Sequence, residues 1–325
     1  MDYDIVNSKG GRGWDATWHS HGADDKPLPE PVKILEIDET YIFISNSSPS
    51  ALTERWTMKL RAKMIPRVED TLFEYGLTVA GRAKLYIDGQ PVIDNWTRQR
   101  RGVSFFMTGT EEERGKFLLK KGVAHELYLE FCNVRGPADG DEDEVTLPSG
   151  SGVRLGGCVV IDGDQEIEKA VAFAKDADVA LVVVGLNADW ETEGNDRATL
   201  RLPGRTDELV TKVAAANSRT VVVTQAVSSA SQFNSDQDFN ASVQGSAIEM
   251  PWADKVASIA HSWYLGNATG DAIADVVFGK VNPNAKLSLT FPKRLEDTPS
   301  YGHFGTENGQ VWYAEDLFVV RFFAM

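Results

Sequence analysis

With 325 residues, 42% hydrophobic and 25% charged, the chain is long enough for two domains with cores of their own. Its formal charge of −15 disfavours nucleic acid and anionic membrane as partners, because both would be repelled. No stretch approaches the roughly 18 apolar residues of a membrane helix. The opening MDYDIVNSKGGRGW also lacks the basic and apolar regions of a signal peptide.

Up to about residue 155 the pattern is β. RWTMKLRAKMIP, TLFEYGLTVAG, RAKLYIDGQPVIDNW, GVSFFMTGT, KFLLKKGVAHELYLEFCNV and GVRLGGCVVI are short, partly alternating runs separated by turn residues. Asp88-Gly89 is a strong hairpin signal, and Lys121-Gly122 is a second turn. Such spacing predicts a sandwich or barrel. The acidic stretch 138–152 reads as an exposed loop near the boundary.

From about residue 160 the period changes. DQEIEKAVAFAKDAD sets Ile167, Ala170, Val171 and Ala174 on one helical face, with Asp164 as candidate N-cap. The apolar run 179–186 predicts a strand covered on both faces. Residues 206–217 are helical again through Leu209, Val210, Val213 and Ala214, and RTVVVTQ is a second buried strand. Strand, helix and strand at this spacing form a βαβ unit, hence a parallel sheet. The expected fold is therefore α+β with two domains: residues 1–155 as a β-sandwich or barrel, and 156–325 as an α/β unit on a mainly parallel sheet.

Directly behind the first of these strands lies DWETEGNDR, residues 189–197, with four carboxylates (Asp189, Glu191, Glu193, Asp196), Arg197 and Trp190. Ligands of parallel sheets gather beyond the carboxyl ends of the strands. Three readings compete for the loop. Clustered charge is most often solvated; the calcium pattern of an EF-hand does not match; and a carboxyl among carboxylates has its pKa raised enough for acid/base work.

Other candidates are weaker. Cys132 and Cys158 lie in no metal spacing and read as small buried groups, with a disulfide as the alternative. His19 and His21 have no third ligand nearby, so a surface loop is the better reading than a metal site. No metal or cofactor is expected. Trp96, Trp252 and Trp263 read as packing residues, and sequons at Asn46, Asn95, Asn240 and Asn267 permit a secretory life without establishing one.

The segment 178–217, then EMPWADKV, WYLGNATGDAIADVVFGKVNPNAKLSLTFPKRLEDTPSY and GQVWYAEDLFV, resembles the C-terminal part of glycoside hydrolase family 3. More narrowly, it is similar to fungal-type β-glucosidases with an inserted lectin-like module. That module, a protective-antigen-type β-sandwich, resembles the first half of the chain through YGLTVAGRAKLYIDGQPVIDNW and the segment from RGVSFFMTGT to GKFLLKKG. The resemblance implies retaining hydrolysis of β-glucosides, with Glu193 as the general acid/base and Asp189, Trp190, Glu191, Asp196 and Arg197 as loop support. It implies a subsite or lectin-like role for Phe105 and Phe106; two strand residues, one facing the module's own core, is the alternative. Asn195 departs from the family, where an aromatic is usual.

In that family the nucleophile is an Asp of an N-terminal (β/α)8 barrel, which has no counterpart here, so no nucleophile is assigned in this chain. The resemblance likewise implies that residues 156–325 form a partial α/β sandwich without its first portion. A catalytically inactive sugar-binding module, or a fragment, is the alternative function. The implied partner is a β-glucoside or oligosaccharide, with room for a homo-oligomer. Family members are often secreted. The family's closing glycines are replaced by Ala314, Asp316 and Val320. Deleting the polar residues 227–244 restores the family pattern as VVVTQAGSAIEMPW, which marks them as a retained intron or a surface loop.

Overall fold

The computed structural model describes residues 3–45, 48–137, 145–147, 149–187, 190–191, 197–226, 246–263, 265–287, 289–303 and 308–312. The chain divides into two compact units, Met1–Ile161 and Asp162–Met325.

The first unit is all β. Its strands are β1 (Tyr3–Val6), β2 (Trp14–Ser20), β3 (Lys33–Ile37), β4 (Tyr41–Ile44), β5 (Trp56–Pro66), β6 (Thr71–Ala80) and β7 (Arg82–Ile87). They continue with β8 (Gln90–Asn95), β9 (Glu113–Leu119), β10 (His125–Cys132), β11 (Val134–Arg135), β12 (Val145–Thr146) and β13 (Ser151–Val159). One sheet runs β3-β2-β5-β10-β7-β8, with β1 also paired to β5; a second runs β4-β13-β6-β9.

Alternation in β5 explains how the two sheets close on each other. Met58, Leu60, Ala62 and Met64 point inward and are buried, while Lys59, Arg61 and Lys63 take the outer positions. They meet Phe73, Tyr75 and Leu77 of β6 and Leu127, Leu129 and Phe131 of β10 in one continuous core. The Asp88-Gly89 turn behaves as expected, with φ of 49° and 77°, the pair of positive values that a two-residue hairpin requires. Asp88 also accepts from His125 Nδ1 at 2.6 Å and from the Glu126 amide at 2.8 Å, tying the turn to β10. The Lys121-Gly122 turn is present too, but it carries the chain from one sheet to the other.

Several expectations are corrected in this unit. Cys158 is exposed where a small buried group was expected, and Ser151 and Gly152, expected in the exposed loop over 138–152, are buried residues of β13. GVSFFMTGT is not a strand; residues 103–107 form a turn. His19 is on β2 and buried, its ring nitrogens bonded to the Leu28 carbonyl (2.8 Å) and Thr17 Oγ1 (3.0 Å). His21 holds Asp25 and Thr57 instead of sitting free on a loop. Cys132 is buried and Cys158 exposed, both as free thiols.

The second unit is α/β. Helix α1 (Gly163–Asp176) is capped by Asp162, whose carboxylate accepts from the amides of Asp164 and Gln165, so the cap lies two residues before the expected one. It is followed by β14 (Ala180–Leu186), α2 (Thr206–Ala216), β15 (Thr220–Ala226), β16 (Ser258–His261) and α3 (Thr269–Val277). The order β14-β15-β16 is parallel throughout, as the βαβ reading requires. Val210, Val213 and Ala214 of α2 are buried. Trp252, fully buried, donates its indole N–H to Asp207 at 2.9 Å. The strand β14, however, is covered on one side only: Leu181 and Val183 are 44% and 54% exposed. Residues 227–244 lie outside the described residues.

Candidate functional site

In the second unit the carboxyl ends of the three parallel strands converge. β14 ends at Leu186, and the chain turns at once, the amides of Trp190 and Glu191 both donating to the Asn187 carbonyl at 2.9 and 3.0 Å. This tight turn opens the acidic loop. Trp190 is 44% exposed and Glu191 half-buried. At the far end of the loop Arg197 donates to the Ala247 carbonyl at 2.7 Å. The Glu249 amide donates to Leu200 at 2.9 Å, so the stem of the loop is tied to the segment that leads into Trp252. Glu193, Asp189 and Asp196 lie outside the described residues.

At the carboxyl end of β16 stands a residue that sequence reasoning passed over. His261, the last residue of β16, shares a 2.8 Å hydrogen bond through Nδ1 with Thr224 Oγ1 of β15. Trp263 and Phe291 close edge-on around the ring at 4.4 and 4.8 Å. Burial pushes the imidazole below its usual pKa, which favours the neutral form. A strand-end His next to an aromatic was the available signal, but five scattered histidines gave no reason to single it out.

The first unit presents the second candidate feature. Phe105, Phe106 and Met107 have φ of 51°, 54° and 67°, three consecutive left-handed residues without a glycine. They form a single left-handed helical turn, in which the Met107 amide reaches the Val103 carbonyl at 3.2 Å. Left-handed L-residues cost roughly 1–2 kcal/mol each, so the turn must be held from outside.

Buried amides brace the segments that flank it. Asn95, fully buried, donates to Thr110 Oγ1 (2.8 Å) and the Leu77 carbonyl (3.0 Å). Gln99 donates to the carbonyls of Gly81 (2.8 Å) and Asn95 (2.9 Å) and accepts from the Gly136 amide (2.8 Å). Ser104 and Thr108 then fasten the turn from within, to the carbonyls of Thr110 (3.0 Å) and Phe105 (2.6 Å). Asn95, counted above as a sequon, is thus a buried framework residue.

The turn separates its two aromatics. Phe105 is 8% exposed and stacks on Phe43 at 5.8 Å, with Tyr41 at 6.0 Å. Phe106 is 58% exposed and touches Phe43 at 5.6 Å with its outer face open. One ring is an anchor and the other is displayed, a division set by the left-handed backbone and not by strand alternation. Among the described residues no three His, Cys, Asp or Glu side chains gather as a metal would require.

Comparison with known proteins bears on both features. Residues 41–320 match the model of the glycosyl hydrolase family 3 C-terminal domain. The chain is 41% identical over 290 residues to an Aspergillus fumigatus protein named "Probable beta-glucosidase J", covering 89% of this chain and 31% of that protein. It is 39% identical over 251 residues to "Probable beta-glucosidase I" of Aspergillus clavatus, covering 77% and 28%. The crystal structure of a β-glucosidase from Kluyveromyces marxianus in complex with glucose superposes with a TM-score of 0.80 at 32% identity, over 96% of this chain and 34% of that one. The chain therefore spans about a third of the length of the relatives it matches. With its parallel sheet, its acidic loop and its β-rich first unit, the chain belongs to the glycosyl hydrolase family 3 C-terminal domain family.

Proposed function

We propose that this chain supplies the acid/base portion of a retaining β-glucosidase, acting on terminal β-linked glucose. Glu193 is the acid/base residue. In the first step its carboxyl proton passes to the glycosidic oxygen as that oxygen leaves, while a nucleophilic carboxylate forms an ester with the anomeric carbon. In the second step the Glu193 carboxylate takes a proton from water, whose oxygen attacks the same carbon and releases the nucleophile. The two carboxyl groups of such enzymes stand about 5–5.5 Å apart, and no residue of this chain is assigned as the nucleophile.

The observation that carries this reading is the correspondence, over 96% of the chain, with a β-glucosidase crystallised with glucose. The position of the acidic loop at the carboxyl end of β14 supports it independently. Arg197, bound to the Ala247 carbonyl, and the Trp190–Glu191 turn would set the path of the loop, with Asp189 and Asp196 shaping it. Phe106, displayed on its strained turn, would stack on a sugar or aglycone, with Phe105 as its anchor.

The direct experiment grafts this chain in place of the matching third of the Kluyveromyces marxianus enzyme and follows an aryl β-glucoside by NMR. Turnover with retention, reduced about 10²–10⁴-fold by Glu193→Gln, supports the assignment. A Glu193→Gln graft that keeps full turnover overturns it. Binding without turnover is the second reading, favoured by the exposed Phe106. It predicts sugar binding by the chain alone that Phe106→Ala abolishes.

A further inference from the structure

The outer face of the seven-stranded sheet carries a groove of about 610 Å³ that belongs to neither feature described above. Its floor is a row of side chains set by register. Asp15 of β2 lies opposite Arg61 of β5, Arg61 opposite Tyr128 of β10, and Tyr128 opposite Tyr86 of β7. All four occupy outward positions, where neighbouring residues of the same strands are charged or hydroxylated, such as Thr17, Lys59, Glu130 and Lys84. Two adjacent tyrosines on such a face stand out. Their rings stack with centroids 5.8 Å apart and planes 28° from parallel.

Arg61 lies with its guanidinium 4.2 Å over the Tyr128 ring, which holds the fork in place while leaving its N–H groups in the groove. Lys84, on the same face of β7 as Tyr86, is paired with Asp94 at 3.0 Å. Among the described residues Arg61 and Lys63 make no ion pair. The rim is equally fixed, since Asn7 Oδ1 accepts from the amides of Lys9 (3.0 Å) and Gly11 (2.9 Å), and Asp15 accepts from the Ser8 amide at 2.7 Å.

The charge of the lining selects the kind of ligand. Two cations, Arg61 and Lys63, face three carboxylates, Asp15, Glu126 and Glu130, so an anion meets net repulsion here and from the chain as a whole. An apolar ligand would strand these groups dry. A neutral polyol with one apolar face satisfies both sets: rings stack on aromatics, and adjacent hydroxyls donate to carboxylates and accept from a guanidinium. The volume lies within the range of small-molecule sites, about 300–1,000 Å³.

We propose that this groove binds a neutral oligosaccharide of two or three pyranose rings, one ring against the Tyr86–Tyr128 pair and its hydroxyls held by Arg61, Asp15 and Glu126. The binding needs no hydrolysis and stands whether or not the chain takes part in a reaction.

The test is calorimetric titration of the full chain with cellotriose, mannotriose and xylotriose in parallel. Saturable binding of at least one, weakened about tenfold or more by Tyr86→Ala and by Arg61→Met but kept by Tyr86→Phe and Lys84→Ala, supports the groove. Arg61→Met keeps the aliphatic stem, so its loss of binding carries the test if Tyr86→Ala proves unstable by circular dichroism, and Tyr86→Phe shows that the ring without its hydroxyl suffices. Absence of binding by all three sugars overturns the proposal. So does binding that survives both Tyr86→Ala and Arg61→Met, including binding lost only in Phe106→Ala, which would belong to the turn.

Discussion

The two units bury their apolar residues differently. In the first, two sheets face each other, and Trp56, Met58, Leu60, Leu77, Leu85 and Leu129 are all 1% exposed or less. In the second, the buried residues among those described fall into two smaller clusters, and large apolar side chains are exposed: Phe173 at 78%, Phe278 at 80%, Val183 at 54% and Leu181 at 44%. A parallel sheet is normally covered on both faces. The first unit thus has the core of an independent domain, whereas the second has the apolar surface of a domain that expects more polypeptide against it. Relatives about three times as long fit that contrast.

The largest expected effect lies in the closed core. Leu60→Ala should cost the first unit about 2–5 kcal/mol, because Leu60 is fully buried between the sheets and the space cannot refill. Hydrogen exchange should show protection falling across β5 and β10 while β14 and β15 keep theirs. Equal losses in both units would mean that they unfold together and that the contrast does not describe their stability.

Next comes the framework under the aromatic turn. Asn95→Ala leaves the Leu77 carbonyl and Thr110 hydroxyl without their donor in a dry interior, a loss of about 1–3 kcal/mol by thermal melting. A neutral result would show that the left-handed backbone at Phe105–Met107 needs no outside support.

Acid should weaken the second unit through His261. Its pKa is lowered in the folded state by burial, so the unfolded chain binds the proton more readily. The stability it contributes is complete above the unfolded value of about 6.5 and is lost as pH falls below it. The second unit should therefore weaken as pH falls below about 6.5, and His261→Gln should flatten that slope. A steep slope that survives the substitution would assign it to other groups.

The smallest effect tests the open face. Val183→Lys should change stability by no more than about 0.5 kcal/mol and should reduce binding of a hydrophobic dye. A loss above about 1 kcal/mol would mean that the face is already covered.

What the sequence revealed follows from how local each signal is. Alternation in 56–66 identified β5, because a strand with one wet face writes its orientation into every second position. Asp88-Gly89 identified its hairpin because few residue pairs accept two positive φ values. The cap of α1 was misplaced by two residues because Asp162 and Asp164 are chemically alike, and only backbone geometry chooses between them. The turn at Phe105–Met107 was read as a strand because Phe-Phe-Met carries β propensity, and what overrides it is the hydroxyl bonds of Ser104 and Thr108 together with packing of Phe105 on Phe43, a tertiary contact. An apolar run reports that a strand is buried, not which element buries it, so the open side of β14 was illegible. For the candidate site, the acidic loop was found by its place behind a strand, whereas the aromatic turn was located by resemblance and its division of labour only by the fold.

The assignment of Glu193 is tested most directly by azide rescue of Glu193→Ala in the grafted enzyme, using a glucoside whose leaving group departs without protonation. An acid/base residue predicts that the first step survives, that release of the glucosyl enzyme becomes slow, and that azide restores turnover with β-glucosyl azide as product. Undiminished hydrolysis without azide, or an α-glucosyl azide product, would contradict Glu193 as the acid/base of this fold.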